Sequence, residues 1–211
     1  MNVVILGPQG SGKGTQAEML VKKYQFNYVE MGKILRSISN SDNPIAFQVK
    51  ESMNKGEKVS DELAQKIAWD HLSKTKTEDD YLFDGYPRGL TQYIHLEEML
   101  GQFGQKIDKV VYIQISDEEV VRRLSARRTC KICGNIYNLI TNPPPSNDKC
   151  DCGGELLQRE DDYPEAIIKR LEWGKTIDVR ERARQEGILI EINGEQAIGD
   201  IHREIIEKLG L

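Results

Sequence analysis

The sequence predicts an α/β fold, a parallel sheet flanked by helices. Three observations predict it. Short β-rich apolar runs recur along the chain, as buried parallel strands do. Longer segments between them carry apolar residues at helical spacing. A glycine-rich loop follows the first run and precedes a helical segment.

Residues 2–6 (NVVIL) form the first strand, ending in glycines, and Lys13 to Tyr24 the helix after it. Residues 30–59 read as short helices broken at Asn43-Pro44 and Gly56. Ser60 is an N-cap for a helix carrying Leu63, Ile67 and Ala68. Strands follow at 80–83 (DYLF) and 109–115 (KVVYIQI). Ser116-Asp117-Glu118-Glu119 is a capping box, and Val120, Val121 and Leu124 supply the stripe of its helix. Residues 128–158 break the rhythm with cysteines, glycines and the Pro143-Pro144-Pro145 run. A last strand at 188–192 (ILIEI) precedes a helix carrying Ile198, Ile201, Ile205, Ile206 and Leu209.

With 211 residues the chain is long enough for one core with insertions. The two irregular stretches read as those insertions, since neither holds enough apolar residues for a core of its own. The net charge of −5 argues against a polybasic nucleic-acid or membrane binder. No apolar run approaches the ~18 residues of a membrane span, and the start lacks a secretory pattern. A soluble cytoplasmic protein is expected, with no nucleic-acid or membrane partner.

Gly7-Pro8-Gln9-Gly10-Ser11-Gly12-Lys13-Gly14-Thr15 satisfies G-x-x-x-x-G-K, with Gly14 inserted before the threonine. Glycines let successive N–H groups curl toward phosphate oxygens, and the following helix adds its positive end. Lys13 supplies a point charge. Asp84-Gly85-Tyr86-Pro87-Arg88 follows the strand at 80–83, at a sheet end where ligands bind. Asp84 is placed to hold Mg2+ through water, Gly85 to let backbone approach a ligand, and Arg88 to clamp a phosphate.

Together GPQGSGKGTQ, DGYPRGLTQ, and later QREDD followed by KRL resemble the adenylate kinase family over essentially the whole chain. The resemblance implies transfer of the terminal phosphoryl group of MgATP to AMP, giving two ADP. It implies a P-loop nucleoside monophosphate kinase fold, with a parallel five-stranded core and helices on both faces. The core would comprise 1–29, 60–125 and 162–211, the acceptor-binding (NMP) insertion 30–59, and a mobile lid 126–161. It also implies a monomer. Gly10, Ser11, Gly12, Lys13, Gly14 and Thr15 would cradle ATP, gripped from the lid side by Arg123 and Arg127. Ile136, Tyr137 and Gln196 would lie near its adenine. The acceptor would meet Met31, Arg36, Glu57, Lys58, Val59, Gly85, Tyr86, Pro87, Arg88, Gln92, Arg159 and Arg170. Lys13, Arg88, Arg127, Arg159 and Arg170 would stabilise the transferred group, as phosphoryl transfer requires cationic positioning. Asp161 and Asp162 would orient the lid arginines. His71, His95 and His202 lie away from every motif and are read as helix or surface residues. No general base is needed, because the acceptor phosphate is already anionic.

Cys130-x2-Cys133, sixteen residues, then Cys150-x-Cys152 hold all four cysteines, a metal-site clustering. The first pair and the gap fit a structural zinc ribbon, and the family includes members with a metal in the lid. The final C-x-C is one residue short, which leaves Asp148 or Asp151 open as a substitute ligand.

Two departures touch the acceptor side. The family usually has S-T-G-D where this chain has Glu30-Met31-Gly32-Lys33. A base-contacting hydroxyl becomes a thioether at Met31, and a carboxylate near the phosphates becomes an ammonium at Lys33. Two further readings stay open on this ground: a kinase for another nucleoside monophosphate, and a catalytically weak nucleotide-binding protein.

Overall fold

The computed structural model describes residues 1–74, 80–146 and 148–211, apart from the side chains of residues 170, 172 and 173. Five parallel strands form the main sheet: β1 (Val3–Leu6), β2 (Asn27–Glu30), β3 (Tyr81–Asp84), β4 (Lys109–Gln114) and β8 (Leu189–Asn193). Their order across the sheet is β2-β3-β1-β4-β8. Alternation along each strand divides the core. Val4, Leu6, Phe83, Val110 and Tyr112 enter one apolar cluster, and Val3, Ile5, Leu82, Val111 and Ile113 enter another. This is why the strands read as unbroken apolar runs: both faces are covered.

Helices cover each face. On the first, α4 (Asp61–Leu72) brings Ala64, Ile67 and Leu72, and α5 (Leu90–Gly101) brings Tyr93, Leu96 and Leu100. There α8 (Ile177–Gln185) adds Val179 and Ala183. On the second, α1 (Lys13–Tyr24) brings Ala17 and Leu20, and α9 (Ile198–Leu209) brings Ile201, Ile205 and Leu209. The remaining helices are α2 (Met31–Ser39), α3 (Ala46–Asn54), α6 (Asp117–Ser125) and α7 (Pro164–Gly174), with a short 3-10 turn at Glu160–Asp162.

A second, antiparallel sheet lies within 126–161. It is ordered β6 (Ile136–Asn138), β5 (Arg127–Cys130), β7 (Leu156–Leu157). Among the described residues its buried cluster is Cys130, Tyr137, Cys150 and Leu156. So small a core ordinarily needs a staple.

One strand is added and one cap is revised. The edge strand β2 joins the four runs read from the sequence; NYVE has no apolar run and is only partly buried. The capping box is half made. Ser116 Oγ accepts from Glu119 N at 3.4 Å, but the Ser116 N–H donates to Glu195 at 2.8 Å instead of to Glu119. Glu119 has better partners in Arg122 and Arg123, each at 2.6 Å. Ser60 caps α4 as expected, accepting from Leu63 N at 3.3 Å.

Candidate active site

The register of the central strands builds the site. β1 pairs with β3, with Ile5 opposite Asp84, so the two loops that leave these strands start side by side. The sheet order also reverses around β1, the arrangement that opens a crevice at the strands' carboxyl ends.

The first loop wraps tightly. A β-carbon on Gly7 would stand 2.5 Å from the Ile113 carbonyl oxygen, so only glycine lets β1 turn beside β4. Gly10 and Gly12 have φ of 80° and 91°, and the Gly12 carbonyl receives Gln16 N at 3.0 Å as α1 begins. No acidic residue occupies the first turn of α1, which leaves its positive end to an anion. Lys13 Nζ donates to the Pro8 carbonyl at 3.3 Å, and Thr15 is exposed. Gln9 Nε2, Gln9 Oε1 and Ser11 Oγ are buried without a hydrogen-bond partner among the described residues. Buried polar atoms of this kind are ordinarily satisfied by ligand or water.

Asp84, at the end of β3, is buried and accepts from the Tyr28 hydroxyl at 3.1 Å. Burial, and then the negative charge of Asp84, push that phenol above its ordinary range. A β-carbon on Gly14 would lie 3.5 Å from Asp84 Oδ2, which places the carboxylate against the phosphate loop. The second loop continues through a cis Tyr86–Pro87 bond. Arg88 Nε donates to the Gly85 carbonyl at 3.0 Å, and its guanidinium lies 3.2 Å from where a Gly85 side chain would start. Gln92 is buried, accepting from Arg88 N at 2.7 Å and donating to Asp61 at 2.8 Å. Asp61 also pairs with Lys58 at 2.9 Å.

One cavity gathers most of the expected acceptor residues: Met31, Arg36, Glu57, Lys58, Val59, Gly85, Tyr86, Arg88 and Gln92. Gln9 and Asp161 also line it. Sequence reasoning gave Gln9 no role of its own, although it occupies a variable position of the phosphate loop. It placed Asp161 with the lid arginines. Pro87 and Arg159 are not among the lining residues. Arg170 lies on α7, and its side chain falls outside the described residues.

Beside the cavity the charge is strongly positive. Arg159 Nε donates to Thr129 Oγ1 at 2.8 Å. Burial, with Arg127 and Arg36 nearby, pushes its guanidinium down to about 9. The carboxylates of Asp161 and Asp162 offset part of this repulsion, and a bound anion would offset more. Arg127 is held by the buried Asp162 through Nε at 2.7 Å and through Nη2. Arg123 donates to Glu119, to the Gly10 carbonyl at 3.3 Å and to the Gly194 carbonyl at 2.9 Å, tying the phosphate loop to the turn after β8. Gln196 on that turn donates to Glu204 and to the Asn193 carbonyl, each at 3.1 Å.

In the small sheet, Ile136 is exposed while Tyr137 faces inward. The Tyr137 hydroxyl lies 3.3 Å from Cys150 Sγ and donates to Asp151 at 2.7 Å. All four Sγ atoms lie within 4.8 Å of one another. The separations Cys130–Cys152, Cys133–Cys150 and Cys133–Cys152 are 3.5, 3.4 and 3.5 Å. Tetrahedral zinc with bonds of ~2.3 Å needs edges of about 3.8 Å, so the set is nearly in place. N–H groups of Cys133 and Ile132 pull the Cys130 thiol down to about 6, while hydrogen bonds with neighbouring sulfurs push Cys133 and Cys152 up, so the close thiols share their protons. A β-carbon on Gly154 would stand 2.6 Å from Cys130 Sγ. The shortened C-x-C therefore closes because glycine follows it, and Asp151 is already engaged by Tyr137.

A family model described as "Adenylate kinase" matches residues 5–178. Proteins named adenylate kinase are similar over the full length. That of Caldicellulosiruptor bescii is 40% identical over 100% of both chains. That of Methanothrix thermoacetophila is 43% identical over 99% of this chain and 98% of its own. That of Bacillus subtilis is 37% identical over 100% and 98%. With a phosphate loop, a buried aspartate and an arginine-lined cavity meeting at the strand ends, these similarities show that the chain belongs to the adenylate kinase family.

Proposed function

We propose that the site works as follows. The chain transfers the terminal phosphoryl group of MgATP to AMP and forms two ADP. The observation that carries this reading is the junction of the phosphate loop and Asp84 with the cavity holding Arg36 and Arg88. The donor takes the loop from Gly10 to Thr15, and the acceptor takes the cavity. The transferred group then passes between Lys13 on one side and Arg88, Arg127, Arg159 and Arg170 on the other. Mg2+ arrives with ATP, and Asp84 would hold it through water. Held there, it would neutralise charge developing on the phosphate oxygens of the donor. The protein's part is to orient both phosphates and exclude water, with residues 126–161 closing as a lid and 30–59 closing on the acceptor.

Arg123 and Arg127 would grip ATP from the lid side, beside Ile136, Tyr137 and Gln196. Met31 and Gln92 would meet the acceptor base. A structural Zn2+ on Cys130, Cys133, Cys150 and Cys152 would staple the small sheet, and four protein ligands leave it no position for substrate. Thiols grouped for a metal suit a reducing compartment, which supports a cytoplasmic enzyme. The family resemblance supports a monomer. A coupled ADP-formation assay over a panel of nucleoside monophosphates tests the reading. ADP formation fastest with AMP supports it, and exclusive use of a pyrimidine acceptor refutes it.

A further inference from the structure

Glu30 stands at the N-terminus of α2, and its Oε1 accepts from Arg36 Nη2 at 3.0 Å. The Arg36 guanidinium folds back over its own helix, 3.2 Å from where a Gly32 side chain would begin. Arg36 lines the acceptor cavity; Glu30 does not. A carboxylate outside the cavity thus already holds a guanidinium that faces into it. Carboxylate and phosphate bind that group through the same planar set of N–H donors, so they compete for it.

Lys33 is the third party. It is exposed, and among the described residues it makes no ion pair of its own. Burial raises the carboxyls of both Glu30 and Glu18, and Lys33, one helical turn from Glu30, is near enough that its charge opposes that rise in each. We propose that Glu30 competes with the acceptor phosphate for Arg36, and that Lys33 receives Glu30 when the phosphate arrives. This inference rests on the reading of Arg36 as a phosphate clamp. Glu30 and Lys33 then act as positioning residues that set acceptor affinity. They also account for each other. A carboxylate that must leave an arginine needs a cation within reach, and Lys33 is an exposed ammonium whose charge acts on Glu30.

The test is a double-mutant cycle read as KM for AMP, kcat and calorimetric affinity for AMP. Glu30→Gln keeps the shape and removes the competitor. It should lower KM for AMP about two- to fivefold, the range for a partly exposed ion pair, with a smaller change in kcat. Lys33→Met strands Glu30 on Arg36 and should raise KM by a similar factor. In the Glu30→Gln background Lys33→Met should lose that effect. A purely structural pair would give losses of the same sign. An unchanged or higher KM for Glu30→Gln overturns the proposal, as does a Lys33→Met effect of equal size in both backgrounds. Arg36→Met separates the premise from the proposal. If AMP affinity ignores Arg36→Met, the clamp reading fails and the proposal with it. If Arg36→Met weakens AMP while Glu30→Gln changes nothing, the proposal alone fails.

Discussion

Asp162 is wholly buried and accepts from both Nε and Nη2 of Arg127. The pair joins the first strand of the small sheet to the turn that leads back to α7. A planar fork held at two points fixes both the position and the tilt of the guanidinium.

Asp162→Ala should therefore have two effects. It leaves Arg127 uncompensated beside Arg159 and Arg36, which should lower the unfolding free energy by about 3 kcal/mol, the low end for breaking a buried pair. It should also reduce kcat, because the guanidinium loses its aim. Denaturant unfolding checks the first and steady-state kinetics the second. Unchanged stability would mean the pair opens freely.

For the cysteine cluster, purified protein should hold about one zinc per chain, from a four-ligand site. Gly154→Ala should weaken zinc retention and lower Tm, since its β-carbon would meet Cys130 Sγ at 2.6 Å. Cys130→Ser or chelation should lower Tm more than it changes turnover at low temperature. Elemental analysis and thermal melts read all three. Metal-free protein, freshly reduced, would refute the assignment.

Glu119 gives a pH signature. Hydrogen bonds from Arg122 and then Arg123 hold its carboxyl down to about 2. The unfolded chain titrates near ~4.3. A depressed carboxylate contributes stability that is complete above the unfolded value and is lost as pH falls through the folded one. The stability gap between wild type and Glu119→Gln should be constant above pH ~4.3 and close progressively toward pH ~2. A gap that survives unchanged at that lower limit would contradict the fork. The same substitution should raise KM for ATP, because Arg123 loses the carboxylate that holds it against Gly10 and Gly194.

Met31 is buried in the wall of the cavity proposed for the acceptor. Met31→Thr restores a hydroxyl there. It should sharpen the preference for AMP over CMP and UMP by roughly two- to tenfold, the value of one neutral hydrogen bond. Acceptor competition assays measure the ratio. An unmoved ratio would show that Gln92 and the cavity walls do all the base reading.

These expectations divide along a physical line. Strands β1, β3, β4 and β8 were legible because burial on two faces demands unbroken apolar runs. The phosphate loop and the Asp84 loop were legible because close turns force glycine at fixed spacings. The edge strand β2 was not, since half-exposure lets NYVE look like loop. The Ser116 cap was legible only in part, because a glutamate offered two arginines abandons the backbone N–H. The pairing of Glu30 with Arg36 left no local sign. It depends on how α2 turns its own residues toward the cavity. Gln9 escaped for a related reason, because a variable position in a motif acquires meaning only when burial is known.

The central claim is that the phosphate loop delivers the transferred group and that Lys13 supplies its charge. Lys13→Met tests it most directly, through kcat for ADP formation from MgATP and AMP beside a thermal melt of the same sample. Turnover should fall roughly 10²–10³-fold, the worth of one electrostatic contact to the transition state. The melt should stay within a few degrees of wild type, because the Nζ bonds a loop carbonyl at 3.3 Å and the side chain enters neither apolar cluster of the main sheet. A variant that keeps near-full turnover, or one that loses activity only because it unfolds, would contradict the account.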